Sequence, residues 1–363
     1  MSFSGSYRSG EVSFLLKPLP LHDFVDIPEK EKLIQSGQRH YSEMLSPESL
    51  PSARYLEVFR EACSANGARM ALDCLRLAAL IAARRTGPIA LVSLARAGTP
   101  VGVVVSRLLV EVFGRAATHY SVSIIRDRGI DAVALEHILA AGHAPESIVF
   151  VDGWTGKGVI ARELAATIGD YNATHGTAID GGLYVLSDLA GTAACAASCD
   201  DYLIPSSILN ATVSGLVSRS ILNDAIGPGD FHGCVYYGQF APHDQSQAFA
   251  DDLVRQALEL ASDPANCTCA PVDSARAGEV SRAFIAAALA QYGIDDVNMV
   301  KPGIGEATRV LLRRSPRLLI LRDAAAPQVA HLKLLAEEKN IPVKIDPDLP
   351  YYAVSLIRSA LDG

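Results

Sequence analysis

The stretch Ile148-Val149-Phe150-Val151-Asp152-Gly153-Trp154-Thr155-Gly156-Lys157-Gly158 reads as a buried strand that ends in an acid and turns through threonine and glycine into a helix. Four consecutive apolar residues mark a strand covered on both faces, as in a parallel sheet flanked by helices. The turn suits an anion. Backbone N–H groups of Thr155 to Gly158 and the positive end of the following helix would face it, and the glycines let the backbone come close. A nucleotide-binding P-loop needs Gly five residues before the Gly-Lys pair and Ser or Thr after it. Val151 and Gly158 stand at those positions, so that motif is excluded.

Outward from this stretch, short apolar runs alternate with helical patterns: IALVSL, TPVGVVVSRLLVEVF, HYSVSII, DAVALEHILAAG, SIVFVDG, KGVIARELAATIGDY, GGLYVLSD and DDYLIP. The alternation predicts an α/β fold with a doubly wound, mostly parallel sheet, five strands lying between Pro88 and Pro205. Upstream, Leu56, Phe59 and Cys63, then Met70, Cys74, Leu77 and Ile81, recur at helical steps and predict two helices broken at Gly67. Residues 1–52, rich in Pro, Ser and charge, are expected as an N-terminal arm without a core of its own. Residues 53–262 then form the main α/β domain, whose C-terminal extension starts near Ser206, and 263–275 form a linker. Residues 276–363 form a smaller α/β unit that ends in a helix over YYAVSLIRSAL.

With 363 residues, 49% hydrophobic and 20% charged, the composition is that of a soluble globular protein. A net charge of −8 gives no whole-molecule field that attracts a polyanion, so any nucleic-acid contact must be local. The seven cysteines are odd in number and the N-terminus lacks a secretory pattern, which points to the reducing cytoplasm. No apolar run approaches the ~20 residues of a membrane span.

A second strand-to-helix loop, Val92 to Gly102, offers Arg96 for charge-assisted bonds to a phosphate group and backbone donors at Gly98 and Thr99. Between the two loops lies the charged segment Ile124 to Ile130, with Arg126 and Arg128. Ligands of open α/β sheets sit beyond the carboxyl ends of the strands. The polar segment Pro205 to Ser220 begins there, and its Asn210, Thr212, Ser214 and Arg219 are candidates to read a base or a carboxylate; helix capping and turn formation are the alternative.

These loops resemble those of the type I phosphoribosyltransferases, whose signature is an apolar strand, two acids, two variable residues, Thr-Gly and a small residue. Asp152, Thr155, Gly156, Lys157 and Gly158 match, and Gly153 stands in place of the second acid. The resemblance implies a phosphoribosyltransferase acting on phosphoribosyl pyrophosphate and a base-like acceptor. Asp152 and Arg96 would be catalytic, Gly153, Thr155, Gly156, Lys157 and Gly158 would hold the 5-phosphate, and Ala95, Arg96, Ala97, Gly98 and Thr99 the pyrophosphate. Arg126 and Arg128 would lie on a mobile loop, and Asn210, Thr212, Ser214 and Arg219 would line the acceptor pocket. Mg²⁺ would be held by substrate oxygens and water, so no protein metal ligands are expected. Asp230-Phe231-His232-Gly233 and Tyr7-Arg8-Ser9-Gly10 are further acceptor-side candidates.

Near the C-terminus, Lys301-Pro302-Gly303-Ile304-Gly305-Glu306-Ala307-Thr308-Arg309 resembles the RNA-binding module shared by Pelota and the ribosomal L7Ae group. Gly303, Glu306, Thr308 and Arg309 match its Gly-x-Asn-Glu-x-Thr-Lys run, and Gly305 replaces the Asn. The resemblance implies RNA as a partner of Lys301, Gly303, Glu306, Arg309, Arg313 and Arg317. From Arg276 onward the chain carries 12 basic and 10 acidic residues, +2 against −10 for the remainder, which favours an anionic partner there.

The pairing of the two units resembles a bacterial family found with tellurium-resistance and stress-response genes and implicated in making a nucleoside-like metabolite. Its members are also labelled cysteine protease StiP. Phosphoribosyl transfer is therefore the expected activity, with an RNA-associated nucleotide-sensing stress regulator as the alternative and a cysteine protease as the minor one. For the last, Cys234, two residues from His232, is the candidate nucleophile. Cys195 and Cys199 read as buried residues one helical turn apart, and Cys267 and Cys269 lie in the linker. A homodimer is compatible with this reading.

Overall fold

The computed structural model describes residues 3–20, 24–270 and 272–358. In chain order its elements are β1 (Ser13–Leu15), β2 (Lys17–Pro18), α1 (Ile27–Gln35), α2 (Ala53–Arg84), β3 (Ile89–Ala95), α3 (Thr99–Glu111), β4 (Ala117–Ile125), β5 (Gly129–Ile130), α4 (Ala132–Ala140), β6 (Ile148–Thr155), α5 (Val159–His175), β7 (Leu183–Asp188) and β8 (Cys195–Ser198). There follow β9 (Gly233–Cys234), α6 (Ser246–Leu260), α7 (Ala275–Tyr292), β10 (Val300–Pro302), α8 (Ile304–Arg313), β11 (Pro316–Leu321), α9 (Ala330–Glu338), β12 (Val343–Ile345) and β13 (Ala353–Ile357).

Among the described residues a seven-stranded sheet runs β1-β4-β3-β6-β7-β8, all parallel, with β5 antiparallel on β4. Ile89 to Leu94 are all buried, as a central parallel strand requires. Helices α2, α3 and α6 pack on one face, where Met70, Leu77, Val104, Leu108, Leu253 and Val149 share a core. The other face is covered by α4 and α5, through Leu135, Ile138, Leu164 and Ile168 against Val92 and Phe150. The mostly parallel α/β sheet expected from the sequence is thus present. A smaller C-terminal sheet, β10-β13-β11-β12, follows it.

Three local expectations are corrected, and the N-terminal arm gains a defined place. Residues 53–84 form one helix, capped by the Ser52 hydroxyl on the Tyr55 N–H, and Gly67 does not break it. A Cβ at Gly67 would stand 3.0 Å from Gln256 Nε2, so this glycine lets α6 approach closely. The fifth strand is Cys195–Ser198 rather than DDYLIP, and all four of its residues are buried as strand, not helix. The segment YYAVSLIRSAL supplies β13, a fully buried strand flanked by antiparallel β10 and β11. A five-residue run with four apolar members fits either period, and two open sheet edges decide for the strand. Finally, the N-terminal arm donates β1 to the main sheet and the helix α1 to the C-terminal side.

Candidate functional site

A cleft of about 1160 Å³ opens between the carboxyl ends of the parallel strands and the C-terminal unit. Its walls include Arg96, Arg126, Asp152, Thr155 to Gly158, Asn210, Thr212 and Arg219 from the first unit, and Lys301, Glu306 and Arg309 from the second. One cavity therefore gathers most of the residues selected from five separate stretches of sequence.

On its floor, β6 continues past Asp152 to Thr155 before the turn into α5. Burial pushes the Asp152 carboxyl up to about 6, opposed by the Arg309 guanidinium and by the Gly153 N–H, which donates to Oδ1 at 2.7 Å. The Thr155 hydroxyl is committed inward, donating to buried Asp188. That carboxylate also accepts the N–H groups of Ala190, Thr192 and Ala193 and so fixes the neighbouring loop. Gly158 turns the chain at φ +71°, where a Cβ would meet the Thr192 side chain at 2.4 Å. Lys157 donates to the Val297 carbonyl of the C-terminal unit. Burial, helped by nearby Lys301, pushes its ammonium down to about 7.

At the opposite side, Arg96 is almost wholly buried; its Nη1 donates to the Val217 carbonyl at 2.8 Å and pairs with Glu48 at 2.6 Å. Arg219 donates to the Met44 carbonyl and faces the ring of Tyr41 with its Cζ at 5.6 Å. Burial pushes its guanidinium down to about 10, with Tyr41 opposing the shift and Arg96 adding to it. Glu48 and Tyr41 belong to the N-terminal arm, which therefore lines the site rather than merely wrapping the fold.

The C-terminal unit supplies the roof. Glu306 accepts from Arg309 at 2.7 Å and lies 3.8 Å from the Lys301 ammonium. Its side chain rests on the phosphate-type turn, where a Cβ at Gly156 would stand 2.6 Å from Glu306 Cγ. Burial alone would raise the Glu306 carboxyl, but Arg309, Lys301 and Lys157 together hold it below the ordinary range. Arg309 also covers the Trp154 ring, its Cζ 4.4 Å from the centroid. The start of α8 is capped across the junction: Asp201 accepts the N–H of Ile304 at 2.9 Å and that of Tyr352 at 2.8 Å. Arg314, just past α8, pairs with Glu31 of α1.

Other candidates lie elsewhere. Gly153 sits within β6, and Ala95, Ala97, Gly98 and Thr99 do not line the cleft. The Thr99 hydroxyl is paired with Ser121, and the Ser214 hydroxyl donates to the Asn210 carbonyl. Residues 126–128 form a tight turn between β4 and β5, where the Arg126 N–H donates to the Tyr41 hydroxyl at 2.8 Å and Arg128 pairs with Glu43. Two arginines at the α8 end of the junction, Arg309 and Arg314, are already paired. Gly303 packs on Leu189, Arg317 is exposed outside the cleft, and the Arg313 side chain lies outside the described residues. His232 is bonded through Nδ1 to Ser123, while Arg8 beside Tyr7 reaches Asp251 of α6. Cys234 is fully buried, with its thiol pushed up to about 12. The sequence reading missed Trp154, visible as a variable position of the motif, and Tyr41, Glu48 and Asp201, for which the sequence carries no signal.

Fold and site define a two-part α/β protein whose cationic cleft is closed by a small C-terminal domain. The chain belongs to the family described as "Tellurite-like stress resistance cysteine protease StiP", whose model matches residues 5–254. The model described as "PELOTA RNA binding domain" matches residues 279–359. A relative from Acinetobacter baylyi, named "Cysteine protease StiP", is 42% identical over 99% of this chain and 96% of its own length. A solved structure titled "Analysis of an invariant aspartic acid in HPRTs-asparagine mutant" aligns with 36% of this chain and 73% of its own, at 12% identity and a TM-score of 0.26, too low to carry an argument.

These findings overturn the expected phosphoribosyltransferase activity. The family model and the full-length relative both bear the name of a cysteine protease, a hydrolase, which the sequence reading held as its minor alternative. Phosphoribosyl pyrophosphate, a base-like acceptor and magnesium find no support in them. The suspected pairing with a Pelota-type domain and the stress-resistance family stand. Among the described residues, no helix is long and apolar enough to cross a membrane.

Proposed function

We propose that the protein serves stress resistance by holding a phosphate-bearing ligand in the cleft between its two domains. The observation that carries this reading is the convergence of Arg96, Arg126, Lys157, Arg219, Lys301 and Arg309 on one cavity, in a chain of net charge −8. The cavity volume suits a nucleotide-sized molecule. The RNA-binding name of the C-terminal match supports the same chemistry, since a nucleotide and an RNA backbone both present phosphate. Trp154 is the chain's one tryptophan and lines the cleft, so its emission reports occupancy. Titration with ATP, and separately with a single-stranded RNA oligonucleotide at two salt concentrations, tests the reading. A saturable emission change, weakened about tenfold by Lys157→Ala, is expected. Steep salt dependence confined to the oligonucleotide identifies RNA. No response to either ligand would sink the proposal.

A second reading, cysteine-dependent peptide hydrolysis, is favoured by the name of the 42% identical relative. Such chemistry needs a thiolate beside a base. Among the described residues no thiol is hydrogen-bonded to a histidine, and burial pushes up the thiols of Cys63, Cys74, Cys195, Cys199 and Cys234. Cys267 and Cys269, half-buried between the domains, are the thiols this reading selects. Cleavage of an unstructured protein substrate that disappears in Cys267→Ala or Cys269→Ala supports it. Cleavage that survives replacement of all seven cysteines, or that the native chain lacks, retires it.

A further inference from the structure

Ten lysines and arginines line the cleft among the described residues, and several are already matched by carboxylates of the chain itself. Glu48 lies on Arg96 at 2.6 Å, and Glu306 on Arg309 at 2.7 Å. Glu306 differs from the other internal partner in where it sits. Its Cγ presses on Gly156, in the turn whose N–H groups and following helix suit an anion, and three cations surround it: Arg309, Lys301 and Lys157. These come from both domains, Lys157 from the turn before α5, Lys301 from β10 and Arg309 from α8.

We infer that Lys157, Lys301 and Arg309 form one composite anion subsite spanning both domains, which the chain fills with its own Glu306 carboxylate until the phosphate of a ligand displaces it. The inference rests on the reading of the cleft as a phosphate site and adds where the phosphate goes and what holds its place. Charge matching supports the exchange. A carboxylate brings one negative charge to Arg309, Lys301 and the partly ionised Lys157, whereas a phosphate monoester brings about −1.5 to −2 and three acceptor oxygens. The Glu306 charge adds to the burial that holds the Asp152 carboxyl up, so an exchange at this subsite also changes the setting of Asp152. Glu306 is the movable member, because its last carbons carry the contact with Gly156 while the backbone of α8 is held by Asp201.

The probe is inorganic pyrophosphate, titrated calorimetrically and by Trp154 emission into the native chain and into Glu306→Gln, Glu306→Asp, Lys157→Ala and Lys301→Ala, with a thermal melt to confirm folding. Removing the internal competitor is expected to tighten pyrophosphate binding about tenfold in Glu306→Gln. Glu306→Asp, which keeps the charge but draws it back from Gly156, should fall between. Both lysine variants should weaken binding. Binding by Glu306→Gln alone, with none by the native chain, also supports the inference, since the plug would then be complete. Equal or weaker binding by Glu306→Gln overturns it while leaving the cleft reading in place, because Glu306 would then be positioning the cations for the ligand. Binding by none of the proteins overturns both.

Discussion

Gly305 lies directly against the indole of Trp154: a Cβ on that glycine would stand 2.4 Å from ring atom Cε2 and 2.7 Å from Nε1. The residue that departs from the Pelota-type pattern is thus the one whose smallness the first domain requires, since Trp154 occupies the space a side chain would need. Alanine in a helix is worth about 1 kcal/mol over glycine, so the steric effect has to exceed that gain. Gly305→Ala is expected to lower the melting temperature by several degrees and shift Trp154 emission. Adding Trp154→Ala should restore most of the loss, a coupling of about 1–2 kcal/mol in a double-mutant cycle. Additive effects would show that the contact is not what limits residue 305.

Asp201 holds the two domains together by capping α8 from the other side of the junction. Asp201→Ala leaves the buried N–H groups of Ile304 and Tyr352 without their acceptor, and a loss of about 2–3 kcal/mol is expected. Limited proteolysis should then cut faster between residues 263 and 275. Burial pushes the Asp201 carboxyl up to about 6, so its ionised form is the strained one in the fold. Stability from this group is therefore greatest below about pH 4 and declines as the pH rises through 6, and Asp201→Asn should abolish that decline.

Two buried histidines make the fold acid-sensitive in the opposite sense. His119, bonded to Ser93 at 2.8 Å, is pushed down by burial to about 4, and His331, bonded to Thr308 at 2.7 Å, to about 3. Unfolded histidine takes up a proton near pH 6.5 while the folded rings stay neutral. Stability is then complete above that value and falls as the pH drops, by up to about 3 kcal/mol per histidine at pH 4. Melting curves from pH 7 to 4 should show this slope, and His331→Gln should flatten it. An unchanged slope would mean His331 is not the group responsible.

Thiol reactivity separates the cysteines. Cys74 and Cys234 are fully buried, and burial pushes both thiols up. Iodoacetamide at pH 8 should leave both unmodified in the folded chain and label both in urea, with mass spectrometry assigning the sites. Rapid labelling of Cys234 in the native protein would return it to candidacy as a nucleophile.

The parallel sheet is legible in the chain, because continuous apolar runs such as Ile89 to Val92 and Ile148 to Val151 are satisfied by helices on both faces. The sequence also marked the Gly156-Lys157-Gly158 turn, since glycine at a strand-to-helix junction is a local, backbone-level demand. The β13 segment fits a helix as well as a strand because four apolar residues around Ser355 do not choose between periods, and only the gap between β10 and β11 makes the choice. Tertiary structure alone decided that Glu48 meets Arg96, that Asp201 caps α8 and that Glu306 rests on Gly156. These partners stand 48, 103 and 150 residues apart in the chain, and their pairing follows from packing one domain on the carboxyl ends of the other's strands. Local propensity registers along a few residues of chain. A cleft between domains is built from contacts between residues far apart in sequence, and those exist only once the cores have docked.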